Sequence, residues 1–103
     1  MSEIELLDET TLQPHIQKYD GFILFFKEHC PNCKVMRKVL DKCHEKNPKL
    51  KIAGIDIEIE SSLLEKYKIA KVPTILITRS GTIVASHTGL SKPSEMLALY
   101  FES

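Results

Sequence analysis

The sequence predicts an α/β fold with a central mixed five-stranded sheet flanked by four helices, in the order β-α-β-α-β-α-β-β-α. Gly21–Lys27 is a continuous apolar run, which is typical of a strand buried on both faces. Pro31–Lys46 follows with apolar residues at helical spacing. Thr74–Arg79 and Thr82–His87 are strand-like and are joined by Ser80-Gly81, which indicates a hairpin.

The remaining elements are shorter and are predicted from their turn and cap residues. Thr10–Tyr19 is typical of a short helix, because Pro14 falls in its first turn, where proline is tolerated. Ser62 and Glu65 have the spacing of a capping box, which predicts another short helix. The other predicted elements are a weak first strand at Ile4–Leu7, a strand at Leu50–Ile59 and a last helix at Lys92–Phe101 after a Ser91 cap.

The order of these elements predicts the sheet topology. Helices connect the first three strands, so those strands should be mutually parallel with right-handed crossovers, whereas the last two form an antiparallel hairpin. The length of 103 residues suits one domain, so residues 1–103 are expected to form a single domain.

Composition and charge exclude several classes of protein. The chain is 43% hydrophobic and 27% charged, the proportions of a globular protein rather than a disordered or fibrous one. Its 14 basic and 14 acidic residues balance, and no basic block runs along the chain, so nucleic acid is not an expected partner. No apolar run approaches the roughly 20 residues that span a bilayer, so no membrane partner is expected.

The cysteines point to chemistry rather than to structural crosslinks. The N-terminus, Met1 to Glu5, lacks the basic-then-apolar plan of a signal peptide, so we expect a cytoplasmic protein. That compartment keeps thiols reduced, so the three cysteines should not form structural disulfides. A closely spaced pair such as Cys30 and Cys33 indicates metal binding or redox chemistry instead.

Cys30 and Cys33 lie where the buried strand ends and the amphipathic helix begins. Free N–H groups at a helix start favour a thiolate by ~0.3–1 kcal/mol, rising to ~2 kcal/mol when partly buried. One pKa unit corresponds to ~1.4 kcal/mol, so the helix should lower the pKa of Cys30 by about one unit. This favours disulfide exchange, because only the thiolate attacks a disulfide.

The two sulfurs are predicted to differ in role. Cys33 shares a helix face with Met36 and Leu40, so it should be partly buried and act as the resolving thiol. Cys30 precedes that face and should be the exposed nucleophile. Residues three apart on a helix have Cβ atoms roughly 5–6 Å apart, whereas the two Cβ atoms of a disulfide are about 3.8 Å apart. A Cys30–Cys33 bond therefore requires local adjustment of the helix start. His29 is either a modulator of Cys30 or a solvated loop residue.

Two other classes of function were weighed against the redox interpretation. A zinc site needs a second ligand pair, but Cys43 lies roughly 15 Å along the helix from Cys33. No metal site is therefore predicted, and Cys43 is interpreted as a small buried hydrophobic residue. A non-catalytic docking module is disfavoured because docking requires neither thiol.

Several segments together resemble the thioredoxin family over nearly the whole chain. The segments that carry the resemblance are Cys30-Pro31-Asn32-Cys33, Val72-Pro73-Thr74, Ala53–Glu58 with its Asp56, Arg79-Ser80-Gly81 and Gly89-Leu90-Ser91-Lys92. The resemblance implies a thioredoxin fold and a protein-disulfide oxidoreductase that needs no cofactor. It also implies protein disulfide substrates, a flavoprotein thioredoxin reductase as electron donor, and a monomer.

The resemblance further implies a substrate-binding loop. Pro73 would be cis, and its loop would hold an extended chain of the partner beside Cys30, with the backbone of Val72 bonded to it. Thr74 and Gly89 would contact the same substrate. From the residues alone, Val72-Pro73 is better interpreted as an ordinary strand entry, since most X-Pro bonds are trans.

The site also departs from the family's usual pattern. Pro31-Asn32 stands where thioredoxins usually have Gly-Pro, and His29 stands where they have Trp. Leu24 replaces a buried Asp, and Gly54 replaces the Lys near it. The usual proton acceptor for the second thiol is therefore missing, and the candidates to replace it are Glu58, Glu28, His29 or water.

These departures leave the direction of the reaction open. A more stable Cys30 thiolate would make the pair more oxidising than a cytosolic reductant. Cys-Pro-x-Cys also resembles glutaredoxins, but no glycine pair follows Pro73 to suggest their glutathione site.

Overall fold

A computed structural model describes residues 4–103 of the chain. The expectation of no signal peptide depends on Met1 to Glu5, and Met1 to Glu3 of that segment lie outside the described residues. The elements are β1 (Glu5–Leu6), α1 (Leu12–Lys18), β2 (Gly21–Phe26), α2 (Pro31–Lys46), β3 (Lys51–Asp56), α3 (Ser62–Lys66), β4 (Thr74–Arg79), β5 (Thr82–Thr88) and α4 (Pro93–Glu102).

The sheet is mixed and has the strand order β1-β3-β2-β4-β5. β3 pairs in parallel with both β1 and β2, while β4 pairs antiparallel with β2 and β5. This confirms the predicted five-stranded fold with three parallel strands and a final hairpin. β2 lies at the centre, so its carboxyl end, where the cysteine segment follows, is supported by strands on both sides.

The two faces of β2 build two separate cores. Ile23 and Phe25 point to the side covered by α1 and α3, where they pack with Leu12, Ile16 and Leu63. Phe22 and Leu24 point to the side covered by α2 and α4, where they pack with Met36, Leu40 and Met96. Burial on both faces explains why the strand is apolar at every position rather than at alternate ones.

Gly21 begins β2 at a place where only glycine fits. Its φ is +146°, and a Cβ there would lie 2.0 Å from the carbonyl oxygen of Lys51. The backbones of β2 and β3 therefore approach each other closely at the start of the parallel pair.

Some predicted local features are wrong. Ser62 lies inside α3 and its hydroxyl donates to Glu9, so the Ser62–Glu65 capping box does not form. α4 is capped at Lys92, whose backbone N–H donates to Glu95 Oε1 at 3.1 Å, rather than at Ser91. Phe101, near the end of the last helix, is 60% exposed.

None of the helices in residues 4–103 combines the length and the apolar character needed to cross a membrane.

Candidate active site

The two cysteines of the predicted redox pair are joined by a disulfide at the start of α2. Cys30 is the N-cap residue in an extended conformation, with φ −107° and ψ 104°, and Pro31 is the first helical residue. Because Cys30 lies outside the helix, the Cα atoms of Cys30 and Cys33 are 5.2 Å apart, within the range that a disulfide requires. The local adjustment expected from the sequence is therefore this change of backbone conformation at the cap.

The helix start supplies a hydrogen bond to the first sulfur. The backbone N–H of Cys33 donates to Cys30 Sγ at 3.2 Å, and the N–H of Lys34 donates to the carbonyl oxygen of Cys30 at 3.2 Å. An N–H aimed at Sγ stabilises negative charge on that sulfur when the disulfide is opened. This is the electrostatic advantage that the sequence predicted for Cys30.

The exposure of the two cysteines differs less than predicted. Cys30 is 8% exposed and Cys33 is 4% exposed, so both are buried, and the prediction of an openly exposed Cys30 is wrong. The physical reason is the cap position, which makes Cys30 part of the helix start instead of leaving it in the preceding loop. What separates the two sulfurs is the surface groove that each one faces.

Cys30 faces a groove of about 600 Å³ between the helix start and the loop before β4. Pro31 and Asn32, both exposed, line one side of it, and Ile57 and Val72 line the other. Lys27 and Lys71 also line this groove, whose lining within residues 4–103 contains no carboxylate. We call it the Cys30 groove; it is open to an approaching chain and has a basic rim that sequence reasoning missed.

The Val72–Pro73 peptide bond is cis, as the resemblance implied. Its neighbour Thr74 is 4% exposed, and its hydroxyl is engaged within the protein, donating to Lys71 O at 2.6 Å and lying 3.1 Å from Thr88 Oγ1. The Thr74 side chain helps to hold the loop in place and is not among the residues that line the Cys30 groove, so its contact with substrate stays a prediction.

Gly89 lies beside the same loop. Its N–H donates to the carbonyl oxygen of Pro73 at 2.9 Å, and its φ of +90° belongs to the left-handed region that favours glycine. Gly89 is not among the residues that line the Cys30 groove. Its backbone N–H is committed to the Pro73 loop, so a contact between Gly89 and substrate stays a prediction.

His29 stands immediately before the redox pair and is exposed. Its φ is +58°, a left-handed conformation in which histidine is more common than most other residues. It lines both the groove beside Cys30 and a second groove beside Cys33. The structure therefore places His29 at the site, where it lines the groove beside each of the two cysteines.

The second groove, which we call the Cys33 groove, has a volume of about 670 Å³ and mainly apolar walls. Leu24, 2% exposed, lines it where the family has its buried Asp. Gly54 pairs with Leu24 across β2 and β3, and a Cβ on Gly54 would lie 2.6 Å from Ile4 Cδ1 and 3.0 Å from Phe26 Cε1. Hydrophobic side chains thus fill the space that a carboxylate and an ammonium would occupy.

The carboxylates proposed as replacements for that Asp are solvated. Glu28 is exposed and lines the Cys33 groove, whereas Glu58 is exposed and lines neither groove. A charged residue that sequence reasoning missed also lines the Cys33 groove: Arg37, four residues after Cys33 on α2. The signal in the sequence was the spacing of Arg37 four residues after Cys33, which puts both residues on one face of the helix.

Cys43 belongs to a different part of the molecule. It is fully buried in the core under α4, and its Sγ lies 3.5 Å from the carbonyl oxygen of Pro93. Burial raises the pKa of the Cys43 thiol to about 11, which confirms its interpretation as an unreactive core residue. Among residues 4–103, no three His, Cys, Asp or Glu side chains lie together in a way that holds a metal ion.

Comparison with known proteins agrees with this site and fold. The thioredoxin family model matches residues 3–102. Thioredoxin of Bacillus subtilis (strain 168) is 33% identical over 81 residues, covering 76% of this chain and 77% of that protein. The solution structure of reduced desulfothioredoxin from Desulfovibrio vulgaris Hildenborough is 34% identical, with a TM-score of 0.81 and full coverage of both chains.

A more distant structure shows the same fold. Oxidised mitochondrial thioredoxin 3 from Saccharomyces cerevisiae has a TM-score of 0.85 at 20% identity, covering 97% of this chain and 95% of that one. The chain belongs to the thioredoxin family. Thioredoxins are thiol–disulfide oxidoreductases, and this member carries the Cys-x-x-Cys pair at Cys30 and Cys33.

Proposed function

We propose that this protein reduces disulfides of protein substrates in the cytoplasm, with Cys30 as the nucleophile and Cys33 as the resolving thiol. The observation that carries the assignment is the hydrogen bond from the Cys33 N–H to Cys30 Sγ at the helix start, which favours the thiolate on Cys30. The Cys30 groove supports it, because Cys30 lines this groove and Cys33 does not, so a substrate disulfide in the groove would meet Cys30.

The reaction runs in two exchanges. The Cys30 thiolate attacks one sulfur of the substrate disulfide, forming a mixed disulfide and releasing the first substrate thiol. Cys33 then attacks Cys30 Sγ, the Cys30–Cys33 bond forms, and the second substrate thiol leaves. Two electrons pass to the substrate, and a flavoprotein thioredoxin reductase would return them to the pair.

Substrate binding is assigned to the Cys30 groove. An extended segment of the partner would lie along the Val72–Pro73 loop and accept or donate hydrogen bonds at the backbone of Val72. Val72 is half-buried at the groove, which supports this placement. Pro31 and Asn32 would contact the partner from the helix side, and the protein would act as a monomer.

Reduction of insulin by dithiothreitol tests the proposal. The unaltered protein should accelerate precipitation, Cys30→Ser should abolish the acceleration, and Cys33→Ser should accumulate a mixed disulfide through Cys30. One equivalent of iodoacetamide on the reduced protein should label Cys30 first. No acceleration over dithiothreitol alone, or first labelling of Cys33, would contradict the assignment.

The reduction potential of the Cys30–Cys33 pair decides the direction. A value near those of thioredoxins, about −270 mV, supports a reductant, whereas a value near about −120 mV would make the protein an oxidant. The measurement uses equilibration with glutathione buffers and separates the two directions without knowledge of the natural substrate.

A further inference from the structure

Arg37 is an unusual residue for the wall of an apolar groove. Its side chain is only 13% exposed, and its Nε and Nη2 atoms are buried without a hydrogen-bond partner among residues 4–103. Its nearest opposite charge is Asp41, one turn further along α2, at 3.6 Å from Nε to Oδ1. A buried guanidinium with an unused N–H is a strong source of positive potential in its surroundings.

The geometry of α2 directs that charge toward Cys33. Residues four apart on a helix have Cβ atoms roughly 5–6 Å apart, and long helical side chains lean toward the N-terminus. By this tendency the Arg37 side chain is expected to lean toward the turn that carries Cys33, and both residues line the Cys33 groove. Among residues 4–103, no buried carboxylate lines this groove to take the proton of Cys33.

We propose that Arg37 is a positioning residue for Cys33, whose guanidinium stabilises the Cys33 thiolate in place of the missing carboxylate base. The proposal rests on the resolving role proposed for Cys33. The Cys33 thiol first gives its proton to water in the groove. The thiolate then attacks Cys30 Sγ, the Cys33–Cys30 bond forms, and the bond from Cys30 to the substrate sulfur breaks. The electron pair leaves on that substrate sulfur, which takes a proton from water.

Other charged groups at the groove act more weakly on Cys33. The titratable and charged side chains that line it besides Arg37 and Cys33 are Lys27, Glu28, His29 and Lys34. All four are exposed, so solvent and salt screen them. From β1 and the residue before it, the described lining takes the apolar side chains of Leu6 and Ile4. Arg37 is the buried charge among these groups.

The direct test measures the Cys33 thiol in a chain that also carries Cys30→Ser, using NMR of 13C-labelled cysteine against pH. An opposite charge at this range shifts a pKa by about 1–3 units, and Asp41 offsets part of that. Arg37→Met should therefore raise the Cys33 pKa by about one unit, and Arg37→Lys should restore most of the shift. Lys38→Met, an exposed change on the same helix, is the matched control and should leave the value unchanged.

A kinetic test uses the unaltered cysteine pair. Reduced protein is mixed with Ellman's reagent, and release of the second thionitrobenzoate reports the attack of Cys33 on Cys30. A rise of one pKa unit lowers the thiolate fraction about ten-fold but increases its nucleophilicity about three-fold. At pH values below the Cys33 pKa, Arg37→Met should therefore slow this step about three- to four-fold. The midpoint of the rate's pH dependence should move upward.

The outcomes separate this proposal from the proposed function. An unchanged Cys33 pKa in folded Arg37→Met would overturn the role of Arg37, whatever the insulin assay shows. Loss of insulin reduction in the unaltered protein would overturn the proposed function while leaving the Arg37 effect on Cys33 measurable. If Arg37→Met does not fold, Asp41→Asn replaces it: a lower Cys33 pKa supports the proposal and an unchanged one overturns it.

Discussion

Restoring the family's carboxylate–ammonium pair at positions 24 and 54 should destabilise this protein, and by less than the sum of the single changes when both residues are introduced together. Leu24 is 2% exposed, so Leu24→Asp forfeits about 1.5–3 kcal/mol of apolar burial. Burial should raise the introduced carboxyl's pKa by about two units, which adds about 2.7 kcal/mol near neutral pH. The total approaches the stability of about 5–15 kcal/mol typical of a folded domain.

Gly54→Lys affects stability in two ways, by crowding neighbouring side chains and by introducing a positive charge. The new Cβ would meet Ile4 Cδ1 at 2.6 Å, and overpacking of this kind costs about 1–3 kcal/mol. Leu24 and Gly54 are register partners on adjacent parallel strands, so the two new side chains would lie on the same face. We expect a favourable coupling of about 2 kcal/mol in the double variant, within the range of contacting pairs.

Urea unfolding of the four proteins of this double-mutant cycle measures the coupling. The penalty of Leu24→Asp should also depend on pH. The pKa of the introduced carboxyl is raised in the folded state, so the ionisation part of the penalty is absent below about pH 3.9 and grows as pH rises toward the folded-state pKa, whereas the lost apolar burial remains at every pH. Arg37 lines the same groove as Leu24 and is an alternative partner for the introduced carboxylate. The cycle is therefore repeated in a protein that also carries Arg37→Met. Additive free energies of unfolding in both backgrounds would refute the reasoning.

Three further predictions concern other parts of the molecule. Because burial raises the pKa of Cys43 to about 11, Ellman's reagent should leave it unmodified in the oxidised protein until urea unfolds the chain; rapid labelling would contradict this. Burial also lowers the pKa of His15 below its ordinary 6.5, against a smaller opposing effect of Glu5. The folded state then binds fewer protons, so stability should fall as pH drops below about 6.5, and His15→Gln should flatten that slope in urea titrations; an equal slope would refute it. Lys71→Glu should slow reduction of an acid-flanked disulfide peptide about five-fold, or about 1 kcal/mol, and less so in high salt. Lys49→Glu, at the opposite end of the sheet, should have no such effect, and equal rates for both variants would show that the basic rim is irrelevant.

Local patterns were sufficient to predict most of the fold. The apolar run of β2 and the helical spacing of α2 each specify one conformation, because a strand buried on both faces and a one-sided helix have different periodicities. α2 begins and ends where the sequence predicted, at Pro31 and Lys46, since proline is tolerated only in the first turn and Asn47-Pro48 ends the helix. Cap positions were predicted less well, because Ser62 finds a partner in Glu9, far away in the sequence.

Long-range contacts decided what the sequence left open at the site. His15 is 7% exposed because it lies on the buried side of α1, and Thr74 uses its hydroxyl within the Pro73 loop. Neither outcome follows from neighbouring residues, since both depend on segments that only the folded sheet brings close.

By itself, the sequence determined the chemistry: a Cys30–Cys33 pair at the start of an amphipathic helix, without the family's Asp and Lys. Only the tertiary structure decided how that chemistry is surrounded. It placed both sulfurs below the surface, put them on different grooves, one basic and one mainly apolar, and placed Arg37 on the groove that Cys33 lines. The reason is that periodicity and capping act within a few residues, whereas burial and electrostatic potential are sums over everything that folding brings together.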